Sequence, residues 1–202
     1  SMGYYAAMGV GYPILIEYIS IAGMAAGGIS FLVHYRVFRR DGIKALFSGD
    51  EIRLFWLLIA GLTGIILLEQ FMTSRTTLAA LEQSFRTDLF QVTSILTTTG
   101  FATKDIAGGF FGAAARQLFL SMMVIGGCVG STSGGIKVLR VSILISVARE
   151  EMARLFRADR AISGTRFQGR LLDREELSRI TAIVFMWFAL LLAGGLVTAL
   201  LE

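Results

Sequence analysis

Cysteine, proline and histidine are almost missing from this chain of 202 residues: each occurs once, as Cys128, Pro13 and His34. A lone cysteine excludes an internal disulfide and any metal site built from several thiolates. Its place inside an apolar run favours an inert buried thiol. The single histidine, at the end of another apolar run, suits packing or interface anchoring better than a proton or metal role. Pro13 fits a first helical turn, where its missing N–H costs nothing. Charge is scarce as well. Only 17% of residues are charged, against roughly 25% in soluble domains. Hydrophobic residues make up 54%, and the mean hydropathy is +0.68. They come in long blocks rather than amphipathic stripes, which reads as transmembrane helix. No basic stretch precedes the first block, so it reads as a span and not as a cleavable signal.

The pattern predicts a first span over residues 13–35, with Glu17 gaining from the dipole at its start and Gly23 and Gly27 on one close-packed face. A second span is predicted over 51–70, with Asp50 as its N-cap and Gly61 and Gly64 marking a second close-packed face. Residues 73–84 are polar and read as an external loop. Residues 86–96 fit a helix too short to cross a bilayer, which takes about 20 residues. Apolar sequence resumes over 110–156, broken near its middle, and a last span begins near Ile180. Trp56, Trp187 and Tyr35 suit packing or interface anchoring. Lys and Arg number five in residues 36–53, four in 54–116 and ten in 137–179. The two basic groups fall on one side if 54–116 enters, dips and returns; that side is cytoplasmic. The net charge of +4 therefore speaks for membrane topology rather than for nucleic acid.

Two segments interrupt the helical pattern. Residues 97–101 read Thr97-Thr98-Thr99-Gly100-Phe101. Three β-branched residues and a glycine favour extended or irregular backbone. Irregular backbone at membrane depth is tolerated only against protein or a water-filled path. An extended Thr-Thr-Thr-Gly backbone can offer successive carbonyl oxygens in place of a cation's hydration shell, and the short helix before it aims its negative end at the same place. In residues 126–135, five of ten are glycine, each costing about 1 kcal/mol in a helix. A flexible polar loop there fits a gate across an ion path, or a kink where another helix packs. Gly130 and Gly135 match the first spacing of a phosphate-binding loop, but Ile136 displaces Lys137 and Val138 replaces the hydroxyl residue, so that motif is rejected.

Residues 90–103, Phe90-Gln91-Val92-Thr93-Ser94-Ile95-Leu96-Thr97-Thr98-Thr99-Gly100-Phe101-Ala102-Thr103, resemble the third pore region of the Trk/Ktr/HKT superfamily of potassium transporters. Residues 125–137, Ile125-Gly126-Gly127-Cys128-Val129-Gly130-Ser131-Thr132-Ser133-Gly134-Gly135-Ile136-Lys137, resemble the broken helix that follows it. The resemblance implies an all-α membrane protein made of membrane–pore helix–membrane repeats, present here in part. Residues 1–48 would close the second repeat, 49–160 form the third, and 161–202 supply a cytoplasmic linker and the first helix of the fourth.

It implies potassium uptake without covalent chemistry. Thr97, Thr98, Thr99, Gly100 and Phe101 would supply filter oxygens, with K+ at Thr98, Thr99 and Gly100. Gly126, Gly127, Gly130, Ser131, Thr132, Gly134, Gly135 and Lys137 would form an intramembrane gate loop. Potassium is then the substrate, and no cofactor is bound covalently. The partners implied are the bilayer of the cell inner membrane, the remaining repeats of a longer parent, a second copy in a homodimer, and a cytosolic nucleotide-binding regulatory subunit. The basic run over 149–179 is a candidate contact for that regulator or an ordinary solvated loop. The alternatives are a structural or assembly membrane subunit, or a relative permeable to sodium as well. A membrane enzyme would need a His, Asp or Glu cluster that the apolar segments lack.

Overall fold

A computed structural model describes residues 13–73, 80–155, 166–167, 170–171 and 173–201. Helix α1 covers Pro13–Gly28, and proline opens it as expected. The span anticipated as one helix over 13–35 is broken. Ser30 is extended, with φ −58° and ψ 136°, and α2 covers Phe31–Arg36, turned by 101° from α1. The cause is long-range. The carbonyls of Gly27 and Gly28 leave the helical pattern and accept hydrogen bonds from residues about a hundred positions later. Glycine is required at the break: a Cβ at Gly28 would lie 2.6 Å from Thr97 Cγ2 and 3.0 Å from Phe55 Cζ. A π-turn, Val37–Asp41, and a 3-10 turn, Gly42–Phe47, lead on to the next helix.

Helix α3 covers Asp50–Met72, 23 residues that fill the predicted second span. Its N-cap is Gly49, at φ 106°, so Asp50 is not the cap; with Glu51 it forms an acidic first turn, where carboxylates gain from the dipole. Helix α4 covers Leu81–Leu96. It starts five residues before the expected 86, inside the stretch read as external loop. The reason is an i,i+4 pair, in which Arg86 Nε donates to Glu82 Oε1 at 2.8 Å and makes the polar first turn helical. At 16 residues it remains shorter than a span, and every residue from Gln91 to Leu96 is buried.

Helix α5, Ala113–Met122, and α6, Val138–Leu155, flank the second irregular stretch of the expected broken helix. Two-residue strands β1 (Arg166–Phe167) and β2 (Arg170–Leu171) pair antiparallel, Arg166 opposite Leu171 and Phe167 opposite Arg170. Helix α7, Arg174–Leu201, contains the predicted last span and begins six residues before Ile180. Part of the basic run over 149–179 lies outside the described residues. Among the described residues two helices, α3 and α7, are long and apolar enough to cross a membrane, and α1 with α2 makes a third if the bent pair counts as one span.

The chain divides at Val138 into two units. The first contains α1–α5 and both irregular segments; the second contains α6, the strand pair and α7. The core of the first unit joins Phe55 and Ile66 of α3, Val92 and Leu96 of α4, and Phe119 of α5, with Phe111 just before α5; all six are fully buried. Phe111 meets Phe119 edge-on with ring centroids 5.0 Å apart. Lipid is as apolar as these side chains, so they hold the helices by close packing and not by escape from water.

Polar bonds fix the register of the short helix. Arg86 reaches back to Glu17 of α1, both at most 6% exposed. Glu17 is thus the partner of a buried guanidinium; it lies beyond the first turn of α1, which holds no acidic residue, so the expected gain from the dipole does not apply. Tyr18 Oη donates to Glu82 Oε1 at 3.1 Å. On the other flank Gln70 Nε2 of α3 donates to Asp88 Oδ1 at 2.9 Å, with both residues buried. Glu69 reaches the start of α5, accepting from the backbone N–H of Ala114 at 3.0 Å and Ala115 at 2.7 Å. Gly112, the N-cap of α5, has no side chain to do this, and a Cβ there would collide with the Glu69 carboxylate.

Candidate functional site

Helix α4 ends by reversing its backbone. Thr98 N–H donates to Ile95 O at 3.0 Å and Thr99 N–H to Ser94 O at 2.9 Å, the paired bonds of a Schellman motif. Such a motif wants a left-handed residue, usually glycine; here Thr98 takes it, at φ 55°. A β-branched side chain in that region is an outlier that costs about 1–3 kcal/mol. Gly100 follows at φ 77°, and Thr99 between them is not left-handed. Alternating the sign of φ along three residues turns successive peptide planes, so that neighbouring carbonyls can face one way.

Side chains hold this path in place. Thr97 Oγ1 donates to Thr93 O at 2.7 Å and lies 2.8 Å from Thr99 Oγ1. Ser94 Oγ donates to Phe101 O at 2.6 Å. Among the described residues no hydrogen bond is donated to the carbonyls of Thr97, Thr98, Thr99 or Gly100. Phe101 differs from the other four expected residues because its oxygen is already engaged. Thr97 is buried, whereas Thr98, Thr99, Gly100 and Phe101 are exposed on this unit. Four unengaged carbonyls therefore lie at the negative end of a buried helix, where a cation gains stability.

The second irregular segment, 123–137, closes on itself. Gly126 N–H donates to Ile136 O at 2.8 Å and Ile136 N–H to Val124 O at 2.9 Å, which makes a one-rung parallel bridge between Ile125 and Ile136. Inside it Gly127 N–H donates to Ser133 Oγ at 2.8 Å, and Ser131 Oγ lies 2.6 Å from Ser133 Oγ. The Lys137 ammonium donates to Ser133 O and lies 3.5 Å from Ser131 Oγ. Gly135 reverses the chain at φ 71°. All eight residues expected in the loop, Gly126, Gly127, Gly130, Ser131, Thr132, Gly134, Gly135 and Lys137, fall within this one structure.

Hydrogen bonds at three further places, the strand, the α1 break and Glu51, fix the loop. Gly134 N–H donates to Thr98 Oγ1 at 2.8 Å, joining it to the first irregular segment at the strained residue. Cys128 N–H donates to Gly28 O at 2.9 Å, Thr132 N–H to Gly27 O at 3.2 Å, and Phe31 N–H to Gly130 O at 3.0 Å. Val129 N–H donates to Glu51 Oε1 at 2.6 Å. Sequence reasoning missed Gly27, Gly28 and Glu51 as parts of the site. The adjacent glycines ahead of Ser30 were the available signal, but Gly27 reads, with Gly23, as a helix-packing face and Gly28 is not singled out. Glu51 carried none, because its acceptor role is met from 78 residues away. His34, for its part, bonds at home, with Nε2 2.9 Å from Ala26 O.

A long apolar helix, a short buried helix ending in unengaged carbonyls, and a closed polar loop bonded to that end define a membrane protein of the re-entrant pore-helix class. The family described as TrkH, a cation transport protein, matches residues 1–201, and the chain belongs to that family. It is 33% identical over 148 residues to the Trk system potassium uptake protein TrkH of Halomonas elongata, covering 73% of this chain and 30% of that protein. To the Trk system potassium uptake protein TrkG of Escherichia coli it is 30% identical over 173 residues, covering 86% and 34%. Its fold matches the crystal structure of the potassium transporter TrkH from Vibrio parahaemolyticus with a TM-score of 0.75 at 27% identity, over 86% of this chain and 36% of that one. The chain thus spans about a third of the length of the relatives it matches. It is a multi-pass membrane chain of mostly helical fold.

Proposed function

We propose that this chain is part of a potassium uptake pore, to which it contributes one filter strand, residues 97–101, and one gate loop, residues 126–137. The observation that supports this most is the row of four unengaged carbonyls from Thr97 to Gly100, hydrogen-bonded through Thr98 to a closed glycine loop. Uncharged carbonyls replace hydration water while binding weakly enough to release the ion. K+ would sit against Thr98, Thr99 and Gly100, while the Phe101 carbonyl, taken by Ser94, would act as a strut. The loop, fastened to the strand on one side and to the α1 break on the other, is suited to close the path and to move when those helices shift. The reaction is transport, with no bond made or broken in the substrate.

The partners belong to the same proposal. One strand cannot surround an ion, so further repeats of a parent protein complete the ring. A second copy of the parent and a cytosolic nucleotide-binding regulator belong to the same reading.

The test is potassium uptake by the full-length parent in cells lacking other uptake systems. Replacing Gly100 by Val imposes a Cβ at φ 77° and is expected to abolish uptake at normal membrane abundance. Deleting residues 130–135 is expected to raise flux. Unchanged uptake in the first variant would argue for an assembly role, and unaltered flux in the second would remove the gate.

A further inference from the structure

After α1 stops at Gly28, the chain ceases to advance along the direction of α1. Gly28 backs onto Phe55, Val129 N–H meets Glu51, Trp56 Nε1 donates to Leu46 O at 2.9 Å, and Ala45 and Ile52 share one core. Residues 29–49 therefore run at the level of the first two turns of α3. That helix crosses the membrane, so its start marks one membrane face, and the density of Lys and Arg makes that face cytoplasmic. With the 101° turn at its entry, the segment runs along this face.

Its outer surface combines two chemistries. Phe31, Leu32, Tyr35, Phe38, Ile43 and Phe47 are all exposed, Phe38 at 89%. Arg36, Arg39 and Lys44 are exposed among them, and the Arg39 guanidinium lies 5.8 Å from the Tyr35 ring centroid. The only acidic residue in 31–47 is Asp41. Large apolar side chains interleaved with cations fit the boundary between acyl chains and headgroups, and the surplus of cations fits an anionic leaflet.

We infer that residues 31–47 form an in-plane segment of the cytoplasmic leaflet whose aromatic side chains enter the acyl boundary, while Arg36, Arg39 and Lys44 bind the phosphates of anionic phospholipids. The same segment starts at Phe31, whose N–H holds Gly130 of the loop, so bound lipid steadies the α1 break on which the loop rests. The inference needs the chain to lie in a membrane; it does not need the ion path.

The experiment uses the full-length parent in phosphatidylcholine vesicles with and without phosphatidylglycerol. Spin labels are placed through Phe38→Cys or Ile43→Cys and compared with parent lacking the substitution; Cys128 is fully buried. High collision with oxygen and low collision with a water-soluble nickel chelate is the expected result. Frequent nickel collisions would place the segment in water, and exclusion of both reagents would mean that protein covers it; either overturns the inference. Purified parent is also expected to retain phosphatidylglycerol over phosphatidylcholine, and Arg36→Gln, Arg39→Gln and Lys44→Gln to weaken that retention roughly fivefold for each cation removed. Equal retention by parent and triple variant would overturn the headgroup assignment. Because ion flux is not read, failure here leaves the pore reading untouched.

Discussion

Thr98 carries two opposed demands. Its left-handed backbone would be relieved by glycine, yet its hydroxyl oxygen receives a bond that joins the loop to the strand. A residue that is locally costly and globally bonded is the kind that persists where function needs the conformation. Two substitutions separate the demands. Thr98→Ser keeps the oxygen and sheds the methyl group on Cβ, so the parent's ratio of rubidium to sodium uptake should be kept. Thr98→Gly removes about 1–2 kcal/mol of backbone strain but leaves Gly134 N–H without its acceptor. Its thermal stability should hold within a few degrees while selectivity falls and basal flux rises. Rubidium and sodium uptake measured side by side checks this, and equal selectivity in both variants would show the bond to be incidental. Thr98 also marks a limit of the sequence. The Thr-Thr-Thr-Gly run announces irregular backbone, but which threonine takes positive φ depends on a partner 36 residues away.

At the scale of elements, the short helix α4 has to be aimed, and two flanking bonds do this without help from lipid. Arg86 ties it to Glu17 of α1, and Asp88 ties it to Gln70 of α3. Removing one partner of a buried ion pair strands the other charge, at a cost of about 3–5 kcal/mol. Arg86→Met should therefore lower the melting temperature of the purified parent sharply. Arg86→Met combined with Glu17→Gln should recover most of that loss, because the stranded carboxylate is gone. A double variant no better than the single one would mean that the bond is not what holds α4. These elements also divide what is legible from what is not. Span α3 and the two interruptions were visible because apolar blocks, clustered glycines and β-branched runs are local signals. The break in α1 left only two adjacent glycines as a local sign: apolar residues continue through it, and the cause is hydrogen bonding with residues 128, 130 and 132, of which 128 and 132 donate and 130 accepts. The early start of α4 was hidden by polarity that one i,i+4 ion pair renders helical. Capping of α5 by Glu69 escaped for the same reason as Glu51, since rules of local sequence cannot see a carboxylate delivered from another helix.

For the whole molecule, the unengaged carbonyls of Thr97 to Gly100 set the terms. Thr98, Thr99 and Gly100 are exposed on this unit, and no described residue donates to their carbonyls or to that of Thr97; once further repeats close around them, unpaired carbonyls become costly. They become tolerable when a cation and the strands of further repeats share the space, so ion binding and assembly of the full pore should be thermodynamically linked. A ligand that binds only the assembled state stabilises it by RT ln(1 + [L]/Kd), about 2.7 kcal/mol at a hundredfold excess over Kd. The melting temperature of the purified parent should consequently rise by several degrees with increasing potassium or rubidium, at constant ionic strength. On the proposed pore reading sodium should raise it less, because a carbonyl ring fitted to potassium would coordinate the smaller ion poorly. Gly100→Val should abolish the difference between the ions while leaving any general salt effect intact. The mutant curve is what gives the measurement its force. A potassium-dependent rise that survives in Gly100→Val would place the stabilising ion elsewhere, and residues 97–100 would then be an ordinary loop whose free carbonyls face water.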